Sequence, residues 1–177
     1  MTDQRTRTAR LMPFLIAAIV VLADRVSKIW IQHSMSLFDS VSLIPGWFRI
    51  VHTENPGAAF GFMAESNSYL RSAVLVGMST IVLFFVASAL WGRGSSFTGI
   101  GARLGLSLVL GGAVGNLYDR IAHGTVTDFV EVYHGTWFFP AFNVADSAIT
   151  VGAILLLMDL LLHRQKPVEE STGFAHK

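Results

Sequence analysis

The chain has no cysteine. That absence excludes disulfides, thiolate metal ligands and a cysteine nucleophile. Charge is scarce as well. Only 14% of residues are Asp, Glu, Lys or Arg, against about 25% in an ordinary soluble domain. No basic run offers a nucleic-acid surface, so no nucleic-acid partner is expected. The six histidines show neither HxxxH nor HExxH spacing. A zinc site would have to gather scattered ligands, and no metal is expected. There is no internal repeat and no low-complexity segment. A transporter built from inverted repeats and paired broken helices finds no support in that pattern.

What is abundant is apolar surface. Of 177 residues, 52% are hydrophobic, and the mean hydropathy is +0.53. This composition belongs to a membrane protein. The net charge of +1 says little about partners, because the charges are sorted by position.

Four apolar runs are each near the roughly 20 residues needed to cross about 30 Å of hydrocarbon. They cover residues 11–31, 69–91, 104–122 and 142–162. The first follows Arg5, Arg7 and Arg10 and could pass for a cleavable signal segment. It continues through Asp24 and Lys28 to Trp30 with no small-x-small site, so an uncleaved first span is expected. Residues 32–68 contain an alternating, β-branched stretch broken by Pro45-Gly46, which reads as a short hairpin. Asn55-Pro56-Gly57 is a turn signal, and Ala58 to Met63 suits the membrane interface. Residues 123–140 again look strand-like, with a turn at His134-Gly135, and Gly92 to Gly101 is a Gly/Ser loop. The expected fold is an all-α membrane protein with four transmembrane helices and a small extracytoplasmic β-rich region. Residues 1–166 form one domain and 167–177 a polar tail.

Arg5, Arg7 and Arg10, then Arg93 and Arg103, then Arg164, Lys166 and Lys177 mark one side of the membrane. The other side has only Arg49 and, at the very start of the second span, Arg71. The positive-inside rule places both termini in the cytoplasm. The β-rich segments then lie outside, next to an aromatic belt of Trp30, Trp47 and Trp137.

Several polar residues sit where lipid should be, and a charge at that depth costs about 2.5–3.5 kcal/mol on insertion scales. Asp24 and Lys28 are four apart and share a helix face. They can form a plain ion pair or face an active cavity. A Ser27–Lys28 nucleophile pair is disfavoured, since adjacent residues do not face each other. Gly111, Gly112 and Gly115, with Gly101 and Gly105, read as close helix packing. That packing lets Asn116 and Arg120 face a neighbouring helix. Asp119 and Arg120 can pair with each other or touch a substrate. Asn143 and Asp146 are three apart at the start of the last span, and Asp128 enters from the strand-like segment. Two carboxylates at one site share a proton. One can then activate water while the other polarises a carbonyl. A peptidase dyad and a proton or ion pathway both fit that spacing.

Five sequence blocks bear on the choice. They are Asp24-Arg25-Val26-Ser27-Lys28; Asn55-Pro56-Gly57-Ala58-Ala59-Phe60; Gly111-Gly112 through Gly115-Asn116 to Asp119-Arg120; Gly124-Thr125-Val126-Thr127-Asp128-Phe129; and Phe142-Asn143-Val144-Ala145-Asp146. In this order on a four-span frame, the chain resembles the bacterial lipoprotein signal peptidases, signal peptidase II, which are aspartic membrane proteases. The resemblance covers nearly the whole chain up to Lys166. It implies that Asp128 and Asp146 are the catalytic pair. It also implies that Asp24, Lys28, Asn55, Asn116, Arg120 and Asn143 surround the site or hold the substrate. The implied substrate is a diacylglyceryl-modified prolipoprotein, cut just before its lipidated cysteine, at the outer face of the bacterial inner membrane. No cofactor is implied, and a monomer is expected.

Overall fold

The computed structural model describes residues 2–57, 68–91 and 99–163. The interface segment read at Ala58 to Met63, most of the Gly92 to Gly101 loop and the tail lie outside those residues. The elements in chain order are α1 (Thr2–Ser34), β1 (Ser40–Ile44), β2 (Phe48–Asn55), α2 (Ser68–Trp91), α3 (Ile100–His123), β3 (Val126–His134), β4 (Trp137–Phe138) and α4 (Val144–His163). α1 has 33 residues, so it is about 50 Å long at 1.5 Å per residue and outruns the hydrocarbon layer.

Among the described residues, three helices are long and apolar enough to cross a membrane: Tyr69–Trp91, Ile100–His123 and Val144–Leu162. The apolar stretch of α1 carries Asp24, Arg25 and Lys28, which sets it apart from the other three. α3 is the central helix. In its most apolar stretch 56% is buried, against 6% for α2 and 17% for α4. The outward faces of the others are apolar: Leu15, Ile19 and Leu22 on α1, Phe84 and Phe85 on α2, and Leu157 and Leu161 on α4 are all exposed. In water such a surface would drive association; in lipid it is solvated.

The glycines read as packing residues do bring helices together. A Cβ on Gly105 would stand 2.7 Å from the Gly152 carbonyl oxygen, and one on Gly152 2.6 Å from that of Gly105. α3 and α4 therefore touch backbone to backbone, as small residues permit in a membrane. Gly115 has a different task. A Cβ there would meet the Asp24 carboxylate at 2.6 Å, so the glycine leaves room for a buried charge.

The β segments form a single antiparallel sheet in the order β1-β2-β3-β4. Long-range pairing of β2 with β3 joins the hairpin expected within residues 32–68 to the strand-like segment expected at 123–140. Thr53 opposes Asp128, and Asn55 opposes Val126. The register shifts between Ile50 and Thr53, and such an irregularity re-aims side chains along a strand. Gly124 ends α3 in the left-handed conformation (φ 79°) and returns its N–H to the Arg120 carbonyl. Only Gly124 and Thr125 separate α3 from β3, so the helix end fixes where Asp128 stands.

Candidate active site

The end of α1, the end of α3 and the start of α4 meet at the sheet, and the buried polar residues gather there. Asp24, Lys28 and Asn143 are 0% exposed, Asp119 1%, Asp128 2% and Asn116 5%. Each needs a partner, since an unpaired buried charge costs several kcal/mol.

Lys28 is held by three oxygens. Its Nζ lies 2.7 Å from Asp24 Oδ2 and 2.7 Å from Asp119 Oδ2, and it donates to Asn116 Oδ1 at 3.0 Å. Arg25 completes the balance by pairing with Asp119 and stacking over Tyr118, 4.4 Å from the ring centroid. Two acids and two bases thus sum to zero charge. The two readings of Asp24 and Lys28 are combined: they form an ion pair, and that pair is linked to the cleft through Asn116. The Ser27 hydroxyl donates to the Asp24 carbonyl at 2.9 Å. A direct Asp119–Arg120 pair does not form. Neighbours on a helix point about 100° apart, and Asp119 turns towards α1 while Arg120 turns towards the cleft.

Asp24 also ties α1 to α4. Its Oδ1 accepts the Ala145 backbone N–H at 3.0 Å, one of the N–H groups left open at a helix start. Asn143 is the N-cap of the same helix. Its Oδ1 accepts the Asp146 N–H at 2.9 Å, while Asp146 Oδ2 accepts the Asn143 N–H at 3.3 Å. This is a reciprocal capping box. The Asn-x-x-Asp spacing carried that signal in the sequence, although only a shared face was read from it.

The remaining hydrogen bonds hold each carboxylate on asparagine amides. Asn116 Nδ2 donates to Asp146 Oδ1 at 2.7 Å. Asn143 Nδ2 donates to Asp128 Oδ1 at 2.7 Å. Asn55 Nδ2 donates to Asp128 Oδ2 at 3.0 Å. Asn143 therefore touches Asp128 with its side chain and Asp146 with both its side chain and its backbone. Donors and acceptors agree along the path Lys28 to Asn116 to Asp146, then through Asn143 to Asp128.

Asp128 and Asp146 open onto a cleft of about 470 Å³. Asn55 and Arg120 share its polar wall; Phe139, Pro140, Phe142 and Val151 form an apolar one. Arg120 donates to the Asn116 carbonyl at 3.3 Å, and its charge acts on both carboxylates. Burial first, and then the charge of Asp146, push the Asp128 carboxyl up to about 7. The hydrogen bonds from Asn55 and Asn143 and the charge of Lys28 hold it back. Such a pair takes up one proton at neutral pH as a unit.

The eight site residues that the resemblance implies, Asp24, Lys28, Asn55, Asn116, Arg120, Asp128, Asn143 and Asp146, meet in this one network. Arg25, which balances the buried charge by pairing with Asp119, was missed: it stands within the first block, but no local spacing gives it a partner. Among the described residues no group of three or more His, Asp or Glu side chains is placed to hold a metal ion.

A family model described as signal peptidase (SPase) II matches residues 16–162. A lipoprotein signal peptidase of Solibacter usitatus is 41% identical over 160 residues, covering 88% of this chain and 94% of that protein. A lipoprotein signal peptidase of Shewanella oneidensis is 38% identical over 161 residues, covering 89% and 91%. Among solved structures, a bacterial membrane enzyme determined in meso at 2.3 Å resolution superposes with a TM-score of 0.77 at 30% identity, over 90% of this chain and 93% of that one. Another, determined at 1.9 Å, gives 0.73 at 32% identity over 85% and 92%. The matched span takes in the ends of α1 and α3, the β2–β3 pair and the start of α4, so this bacterial membrane protein belongs to the signal peptidase II family of proteases.

Proposed function

We propose that the chain is an aspartic endopeptidase that removes signal peptides from diacylglyceryl-modified prolipoproteins, cutting just before the lipidated cysteine, with Asp128 and Asp146 activating water. The observation that carries this reading is the bridge made by Asn143, which hydrogen-bonds both carboxylates at the edge of one cleft. The ionised member of the pair takes a proton from water as the oxygen attacks the scissile carbonyl. The protonated member donates to that carbonyl oxygen. The tetrahedral diol then collapses, the C–N bond breaks, and the new amine of the lipidated cysteine leaves with a proton from the pair. Arg120 and Asn55, on the polar wall, orient the substrate backbone. The apolar wall from Phe139 to Val151 receives lipid and signal-peptide side chains. One copy can supply every group in this scheme, so a monomer suffices for the reaction, with residues 1–166 as one peptidase domain. The purified protein in detergent should cleave a diacylglyceryl-modified precursor, leave the unmodified precursor intact, and keep its rate in strong chelator. Loss of activity in chelator, restored by zinc, would refute the water-activating pair.

We place α1 as a fourth membrane crossing. Its apolar stretch is long enough, and its charges are neutralised in pairs. Both termini are then cytoplasmic and the cleft faces the outer leaflet. Reporters fused at positions 94 and 134 should read inside and outside respectively; the opposite pattern rejects this orientation.

The supporting amides have a measurable share. Asn143→Ala should lower turnover about 10- to 150-fold while the protein stays folded. A hydrogen bond to a charged group is worth about 1.5–3 kcal/mol, and the variant removes the one that Asn143 Nδ2 donates to Asp128, while the backbone N–H that reaches Asp146 is retained. Wild-type kinetics in this variant would leave Asn143 as a helix cap alone.

A further inference from the structure

Glu54 follows Thr53 and precedes Asn55 on β2, so it projects from the face of the strand opposite to theirs. Asn55 reaches Asp128. Glu54 instead accepts the Thr125 hydroxyl on Oε2 at 2.6 Å and the Thr127 hydroxyl on Oε1 at 2.8 Å. Thr127 Oγ1 in turn accepts Gln32 Nε2 from α1 at 2.7 Å. His52, on the same face of β2, holds the Met35 carbonyl through Nδ1 at 2.9 Å and places Nε2 3.6 Å from Glu54 Oε1. Neither Glu54 nor the two threonines line the cleft. The threonines occupy the two positions that bracket Val126, where the chain leaves the left-handed Gly124 and enters β3 just ahead of Asp128.

We propose that Glu54 is a positioning residue: by clamping both threonine hydroxyls it fixes the backbone that presents Asp128 to Asp146. The proposal rests on the peptidase reading above and adds to it a group that touches no substrate. Its carboxylate is 28% exposed, yet both oxygens are used on a three-residue segment, a geometry that holds rotation as well as position. β3 is tied to α1 by the same knot through Gln32. A displacement of about 1 Å at a reacting group costs on the order of 100-fold. Releasing the clamp should therefore reduce kcat rather than raise KM.

The experiment compares the full-length wild type with Glu54→Ala, Glu54→Gln and the Thr125→Val/Thr127→Val double variant. The probe is a diacylglyceryl-modified precursor, assayed from about pH 5 to about pH 9. Glu54→Ala and the threonine double variant should each lose about 10- to 100-fold in kcat with KM little changed. Glu54→Gln retains one acceptor oxygen and should fall between them and wild type. The alkaline limb of kcat/KM should move to lower pH in both impaired variants, because a loosened strand lets water reach Asp128. The other charges facing Asp128 are Asp146 from α4, Lys28 from α1 and Arg120 from α3, and they are unchanged throughout. The threonine variant keeps the Glu54 charge, so a matching shift there assigns the effect to the clamp. Wild-type kcat and an unmoved limb in either impaired variant overturn the proposal. So does a fall in melting temperature with wild-type turnover by the folded protein. If Glu54→Ala does not fold, Glu54→Gln and the threonine pair decide by the same criteria. Asp128→Asn runs alongside: turnover there would sink the peptidase reading itself, whereas an inactive Asp128→Asn beside a fully active Glu54→Ala sinks only the clamp.

Discussion

Lys28→Met is expected to lower the melting temperature of the detergent-solubilised protein by about 6 to 20 °C. Removing one partner of a buried pair costs about 3–5 kcal/mol, and in a chain of this size each kcal/mol moves the midpoint by about 2–4 °C. Both Lys28 and Asp24 have fully buried side chains. Without Lys28, Arg25 still faces Asp119, so one negative charge is left uncompensated in the bundle. Asp24→Asn/Lys28→Met removes a charge of each sign and leaves the Arg25–Asp119 pair intact. The double variant should therefore melt higher than Lys28→Met alone, an interaction that a double-mutant cycle reads directly. It should nonetheless be a poor enzyme, because Asn116 loses the Nζ that orients its amide towards Asp146. A Lys28→Met protein that melts like wild type would contradict this, since the Asp24 carboxylate would then be stable without its partner.

The helices were legible because the bilayer imposes their length. The apolar runs read at 69–91 and 142–162 agree with α2 and α4 to within two residues. α3 starts at Ile100, ahead of the run read from residue 104, since Gly101 and Arg103 looked like loop and yet belong to its first turn. The candidate site was legible for a related reason. Charged and amide side chains are costly at that depth, so Asp24, Lys28, Asn116, Arg120 and Asp146 stood out against their neighbours. What the sequence could not convey was who pairs with whom. Asp119 joins Lys28 and Arg25 across a helix interface, and no local spacing encodes that choice. The β2–β3 pairing spans residues separated by the whole of α2 and α3. Because of it, the role of Glu54 beside Thr125 and Thr127 was invisible until the two strands lay side by side.

Asp128→Asn and Asp146→Asn are each expected to abolish cleavage in a protein that still folds. Asparagine keeps the side-chain shape and removes the capacity to take or deliver the proton. In the proposed mechanism the pair acts as a unit, so losing either member should cost nearly as much as losing both. Stability should not suffer at neutral to alkaline pH. The folded-state pKa of Asp128, about 7, lies above its unfolded value of 3.8. Its contribution is therefore present at low pH and lost as pH rises through 7, where the folded protein carries a buried ionised carboxylate. Asp128→Asn removes that ionisation and should melt at or above the wild-type temperature at about pH 8. For the same reason wild-type kcat/KM should decline as pH rises through about 7, where the pair loses its shared proton. Asp119→Asn is the informative comparison. It lies in the same polar zone but contacts Lys28 and Arg25; it should weaken the fold and keep measurable turnover.

The most direct measurement is a single-turnover cleavage of a diacylglyceryl-modified precursor by purified wild type, Asp128→Asn, Asp146→Asn and the double variant, with the released signal peptide weighed by mass spectrometry. The account predicts one product from wild type, ending at the residue before the lipidated cysteine, and no product from the three variants, all of them folded. A product from either single variant at a rate near that of wild type would contradict it.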